Sequence, residues 1–260
     1  MKHPIIALMT DFGTEDGYVG AMKGRILSEL PDALVVDISH NIKPYDIRQG
    51  AFCLNNSYPN FPDRTVFVAV VDPGVGTERK GIVVKTSQHY FVGPDNGIFS
   101  FVTHREGYQA SEIMLKAFSE EVSHTFHGRD VFARIASWIG GGKDIKKFLD
   151  PLREVVSFLK SPHKNNENEF ILEVIHVDHF GNLVLNFQKN DLLGYEDVSG
   201  VTLKIKEFEL HRIHETFGMV PWGELLLCWD SSGFLQIAQN MGNAAEKINS
   251  SVGDQLRLII

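Results

Sequence analysis

Between Ile5 and Val71, three short apolar runs alternate with two stretches whose apolar residues recur at helical spacing, and no other feature constrains the fold as tightly. Ile5 to Met9, Ala33 to Ile38 and Thr65 to Val71 have the length and β-branched content of strands. Tyr18 to Leu30 places Val19, Met22, Ile26 and Leu30 on one helical face, and Pro31-Asp32 ends it. Asp46 to Tyr58 does the same with Ile47, Ala51, Leu54 and Tyr58. Such alternation predicts a mostly parallel sheet flanked by helices. Gly81 to Thr86 and His89 to Val92 read as a hairpin across Ser87-Gln88, and Val131, Phe132, Ile135, Ala136 and Ile139 mark a helix from Asp130 to Ile139.

The pattern changes after a polar stretch, Ser161 to Glu169, which contains Pro162, shows no periodicity and reads as a linker. Beyond it come only short strand-like runs: Phe170 to Val177, Asn182 to Phe187, Val201 to Ile205, Glu224 to Trp229, Phe234 to Ala238 and Gln255 to Ile260. The expected fold is therefore α/β. It comprises an N-terminal α/β sandwich with a mostly parallel sheet (1–160), a linker (161–169) and a smaller C-terminal β-barrel (170–260).

The 33 acidic against 25 basic residues give a net charge of -8, which opposes binding to nucleic acid or to an anionic membrane. Cys53 and Cys228 stand far apart, outside any Cys-x-x-Cys pair, and read as core thiols. The first apolar run meets Asp11 too soon for a signal peptide, and no run reaches membrane-spanning length, so a cytoplasmic location is expected.

Several motifs bear chemistry. Thr10-Asp11-Phe12-Gly13 follows the first strand; without a glycine-rich loop, a strand lysine or a His-Arg-Asp triplet it is no kinase metal motif. A strand-end carboxylate such as Asp11 can instead accept the two hydroxyls of a ribose, the alternative being a solvated loop aspartate. The segment from Asp72 to Arg79 joins a carboxylate, two glycines and a guanidinium in one loop, with Arg79 where a dinucleotide fingerprint needs its third glycine. In Thr125-Phe126-His127-Gly128-Arg129-Asp130 an imidazole lies beside two charges just before a helix, a setting that tunes pKa, although an isolated histidine is more often structural. The pairs His124/His127 and His211/His214 lack a third ligand, so no metal is expected. No serine-hydrolase elbow or P-loop lysine motif occurs.

Taken in order, Thr10 to Gly20, Val71 to Thr77, Gly93 to Gly97, Thr125 to Asp130 and Asp178 to Asn182 resemble the motifs of the SAM (S-adenosyl-L-methionine) hydroxide adenosyltransferase family, hydrolase relatives of fluorinase and chlorinase. The resemblance implies hydrolysis of SAM to adenosine and methionine without a cofactor, in a homotrimer with sites between subunits. It assigns Asp11 to the ribose hydroxyls and Asp72, Arg79 and His127 to the water. Asp178 and Asn182 fall in the motif for the methionine end. Phe180, Phe217, Ser231, Ser232 and Asn240 align with residues around the methionine and adenine groups.

Halogenases of this group carry a tyrosine and a serine where this chain has His127 and Gly128, which favours water over halide. The implied step is in-line displacement at the ribose 5′ carbon, with a neutral thioether leaving. Phe126, Phe180 and Phe217 can supply a dry aromatic pocket that disfavours the sulfonium ground state. Arg79 can stabilise hydroxide-like charge, while Asp72 and His127 orient the water and either accepts its proton. The alternatives are a SAM-dependent halide adenosyltransferase and a non-catalytic SAM or adenosine sensor.

Overall fold

A computed structural model describes residues 3–193, 195 and 200–260, and the chain divides into two compact units, Met1–Phe158 and Leu159–Ile260. In the first unit the strands are β1 (Ile5–Thr10), β2 (Leu34–Ser39), β3 (Val66–Val70), β4 (Gly81–Lys85), β5 (Tyr90–Pro94), β6 (Gln109–Ile113) and β7 (Leu149–Leu152). Its helices are α1 (Tyr18–Glu29), α2 (Ile47–Ser57), α3 (Ser100–Arg105) and α4 (Ala133–Gly140). The strands form one sheet in the order β2-β1-β3-β5-β4-β6-β7.

The central strands read as unbroken apolar runs because both faces of the sheet are covered. Ile6 and Leu8 of β1 pack with Met22 and Ile26 of α1 and with Ile135 and Ala136 of α4. Ala7 and Met9 face the other way, toward Leu54 of α2 and Val102 of α3. Asp46 caps α2, its Oδ1 accepting the Gln49 N–H at 2.9 Å, an interaction worth about 1 kcal/mol.

The expectation of a mostly parallel sheet needs correction. β2, β1, β3 and β5 run parallel, but β5-β4, β4-β6 and β6-β7 are antiparallel. Of these three pairings β5-β4 is the hairpin expected across Ser87-Gln88, and β6 and β7, absent from the sequence reading, add the other two. β6 is polar at Gln109, Ser111 and Glu112, and β7 carries Pro151, which a sheet edge tolerates because one side of the strand needs no donor.

The second unit holds β8 (His163–Asn166), β9 (Glu169–Val177), β10 (Leu183–Gln188), β11 (Thr202–Ile205), β12 (Phe208–Leu210), β13 (Ile213–His214), β14 (Leu225–Trp229), β15 (Phe234–Gln239), α5 (Ala244–Ile248) and β16 (Gln255–Ile259). They form one curled sheet along the path β12-β11-β16-β9-β10-β15-β14-β13, with β8 beside β9. It is a half-barrel rather than a closed barrel: the end strands β12 and β13 are three and two residues long and, among the described residues, do not pair with each other. Phe170, Leu172, Leu183, Leu185, Leu203, Leu256 and Leu258 fill its core.

The stretch read as a linker is folded. His163–Asn166 pairs antiparallel with β9, and Asn166 Oδ1 accepts the Asn168 N–H at 3.0 Å to close the turn. Its polar composition reflects an exposed hairpin. Among the described residues no helix is long and apolar enough to cross a membrane.

Candidate active site

Asp11 and Asp72 follow adjacent parallel strands, β1 and β3, whose register pairs Thr10 with Val70. β1 leads to β2 on one side and the chain then returns to β3 on the other, so both carboxylates lie where the connections diverge. Ligands of open α/β sheets bind at such switch points, beyond the strand C-termini.

Asp72 is held by Arg79, whose Nε donates to Oδ1 at 3.0 Å and whose Nη2 donates to Oδ2. The same Nη2 lies 3.2 Å from His127 Nδ1. The side chains of Asp72 and Arg79 are 5% and 8% exposed, and His127 is 4% exposed. The structure thus brings together three residues that stand up to 55 positions apart in the chain.

Arg79 offers donors only, so His127 Nδ1 must be the acceptor and the imidazole proton resides on Nε2. Burial, and then the Arg79 charge, pushes the His127 pKa below its usual value, consistent with a neutral ring. Burial also raises the Asp72 carboxyl and outweighs the opposing pull of Arg79, and the Asp11 charge adds to the rise. The cluster therefore combines a basic carboxylate, a fixed positive charge and an imidazole N–H in a sheltered place.

Gly76 sets the spacing of the two segments that carry this cluster. Its φ is 76°, and a β-carbon there would lie 2.3 Å from the His124 carbonyl oxygen, inside contact distance of backbone. Gly76→Ala is expected to destabilise the first unit by about 2 kcal/mol or more, combining left-handed strain with a backbone clash. Chemical denaturation measures this, and a transition matching the unmutated chain would refute the close packing.

Phe126 is half-buried, edge-on to Phe12 at 5.9 Å and Tyr18 at 5.5 Å, which joins the loop after β1 to the segment holding His127. The two charges after His127 serve each other: Arg129 donates to Asp130 through Nε at 2.7 Å and Nη2 at 2.9 Å. Burial pushes Asp130 up, but Arg129 and the Ser123 N–H outweigh it and hold the carboxyl below its usual range. A single turn of π-helix, Gly128–Phe132, links His127 to α4, a distortion often found at functional sites.

The remaining sequence-derived residues belong to the second unit. Asp178 Oδ1 accepts the N–H groups of Phe180 and Asn182, both at 2.9 Å, and Asn182 Nδ2 donates to Oδ2 at 2.8 Å. Phe180 projects from this turn with 72% exposure, and Phe217 is 43% exposed, so neither forms an enclosed pocket within its unit. Ser231 is exposed and Ser232 half-buried in the turn between β14 and β15. Asn240 is buried and donates to the Val220 carbonyl at 2.7 Å, which ties the end of β15 to the segment after Phe217.

Two residues were missed by the sequence reading. Asp230 repeats the Asp178 turn, its Oδ1 accepting the N–H groups of Ser232 and Phe234, both at 2.8 Å. Among the described residues its other oxygen is buried without a hydrogen-bond partner, and burial raises the carboxyl's pKa. The shared Asp-x-x-Gly spacing of 178–181 and 230–233 was the available signal. The other is Tyr45, whose N–H donates to Asp11 Oδ2 at 2.9 Å, and no local spacing announces that bond. His211 is exposed and His214 half-buried; among the described residues no three His, Cys, Asp or Glu side chains form a metal-sized group.

Comparison with known proteins agrees over both units. The SAM hydroxide adenosyltransferase N-terminal domain matches residues 6–149, and the C-terminal domain of the same family matches residues 172–257. A protein of Methanocaldococcus jannaschii named (R)-S-adenosyl-L-methionine hydrolase is 39% identical, over 98% of this chain and 95% of its own. A fluorinase of Nocardia brasiliensis is 28% identical over 97% of this chain and 95% of its own. The crystal structure of an uncharacterized conserved protein from Thermotoga maritima superposes with a TM-score of 0.85 at 37% identity, covering 98% of this chain and all of that one. With both domains matched in order and a 39%-identical relative spanning nearly its full length, the chain belongs to the SAM hydroxide adenosyltransferase family.

Proposed function

We propose that the protein hydrolyses SAM to adenosine and L-methionine by in-line attack of water on the ribose 5′ carbon. The observation that carries this reading is the single Arg79 guanidinium shared between Asp72 and His127. The activity named for the hydrolase relatives supports it.

In this reading Asp11 holds the ribose hydroxyls. The residues of the second unit, Asp178, Phe180, Asn182, Phe217, Ser231, Ser232 and Asn240, take the methionine and adenine ends. Water adds its oxygen to the 5′ carbon as the carbon–sulfur bond breaks, and the bonding pair leaves with sulfur as a neutral thioether. The water proton passes to Asp72, because His127 already carries its proton on Nε2 and its Nδ1 is engaged by Arg79. The His127 Nε2–H and the Arg79 charge stabilise the hydroxide-like oxygen as negative charge develops. A halide reading lacks a hydroxyl at Gly128, although a β-carbon there would make only ordinary contacts, at 3.4 Å from Met22 Sδ and 3.5 Å from Phe12.

Chromatography of products after incubation with SAM, with and without chloride, tests the reading, and adenosine with methionine in equal amounts is expected. A chloride-dependent 5′-chloro-5′-deoxyadenosine would replace it with the halide reaction, and SAM retained without turnover would replace it with the sensor.

The pH dependence follows from the same geometry. The active form needs Asp72 ionised and His127 neutral. Asp72 titrates above the usual aspartate value and His127 below the usual histidine value, and each converts to its active form as pH rises through its own pKa. The acid limb of kcat/KM is expected below the ordinary histidine range, with a plateau through neutrality. An activity that falls as pH rises from acid toward neutrality would contradict these protonation states.

A further inference from the structure

Tyr45 adopts a φ of 69°, the left-handed region that penalises any residue with a β-carbon. The residue is 72% exposed, so core packing does not impose this conformation. Two sets of hydrogen bonds do. On one side the loop is pinned to the start of α2: Lys43 N–H donates to Gln49 Oε1 at 2.6 Å, Asp46 N–H donates to the Lys43 carbonyl at 3.0 Å, and Asp46 caps the helix. On the other side the Tyr45 N–H donates to Asp11 Oδ2 at 2.9 Å. With α2 holding the following residue, the left-handed turn directs that N–H at the end of β1.

Among the described residues no other hydrogen bond reaches the Asp11 carboxylate, so this one donor fixes its rotation and leaves Oδ1 without a protein partner. A carboxylate held at one oxygen is prepared for a vicinal diol, whereas an unheld one must be ordered by the ligand at an entropic penalty. We propose that Tyr45 is a positioning residue, whose left-handed backbone aims its N–H at Asp11 and so sets the carboxylate against the ribose hydroxyls. This rests on the reading of Asp11 as the ribose acceptor.

Calorimetric binding of adenosine and 2′-deoxyadenosine to the full chain and to the Tyr45→Gly and Tyr45→Pro variants tests it. Glycine keeps the N–H and accepts the left-handed conformation, so the preference for adenosine should stay within about twofold of the unmutated value. Proline removes the donor and fixes φ near -65°, so the preference should fall roughly tenfold, through weaker adenosine binding.

A full preference in Tyr45→Pro overturns the proposal, and so does an equal loss in Tyr45→Gly, which would assign the effect to the ring. If the unmutated chain does not distinguish the two nucleosides, the Asp11 reading itself has failed. Should Tyr45→Pro not fold, amide exchange decides. The Tyr45 N–H should be protected in the unmutated chain and exchange faster in Asp11→Ala, whereas equal rates overturn the proposal.

Discussion

Replacing Arg79 by alanine is expected to lower adenosine formation roughly 100- to 1,000-fold, the range seen when one preorganised charge or donor is removed from a reacting oxygen. The substitution removes the partner of Asp72 and that of His127 at once, since Nη2 serves both. It also leaves a carboxylate whose side chain is only 5% exposed without a counter-charge. Burial already raises Asp72, and with Arg79 gone only the Gly74 backbone hydrogen bond opposes that rise, so the carboxyl shifts further toward its protonated form and becomes a poorer acceptor of the water proton.

Breaking a sheltered ion pair by removing one partner commonly destabilises by about 3 to 5 kcal/mol, so a melting curve must accompany the rate. Arg79→Lys separates the contributions: the charge remains, but a compact ammonium cannot reproduce a planar fork that grips Asp72 through two nitrogens while meeting His127. Partial activity is expected there. An Arg79→Ala protein that is folded and retains activity within about threefold would remove Arg79 from the transition state altogether, given the size of effect expected for such a group.

For Asp11→Ala the expected loss lies in binding. Hydrogen bonds to a charged acceptor contribute about 1.5 to 3 kcal/mol each, so adenosine and SAM should bind roughly 10- to 100-fold more weakly by calorimetry, while methionine is unaffected. The substitution also removes a negative charge that helps raise Asp72, so the acid limb of the rate profile should move to lower pH. Adenosine affinity equal to that of the unmutated chain would end the ribose assignment.

Much of the central fold was legible before any coordinates. β1 and β3 announced themselves as apolar runs because both their faces are buried, and α1 and α2 because one face of each packs on the sheet. The edges were not legible. β6, β7 and β8 are polar or proline-bearing and lie at or near the margins of their sheets, where pairing is decided by the neighbouring backbone rather than by side-chain periodicity. For this reason the sheet proved half antiparallel and the polar stretch after Ser161 proved to be a hairpin.

The candidate site divides in the same way. Asp72, Arg79 and His127 were singled out in the sequence by their motif context, and the family resemblance assigned them together to the water. That a single Arg79 nitrogen meets both other residues, that His127 therefore carries its proton on Nε2, and that Arg129 and Asp130 satisfy each other emerged only from the folded chain. Tyr45 was invisible as well, because its contribution is a backbone N–H brought to Asp11 across 34 residues. Local spacing along the sequence determined the buried central strands and the long helices and marked side chains that can do chemistry, since these depend on residue type and short-range periodicity. Which donor meets which acceptor, and hence the protonation states, was decided by tertiary structure, because those contacts join segments that only the packing of the sheet and its loops brings within hydrogen-bonding distance.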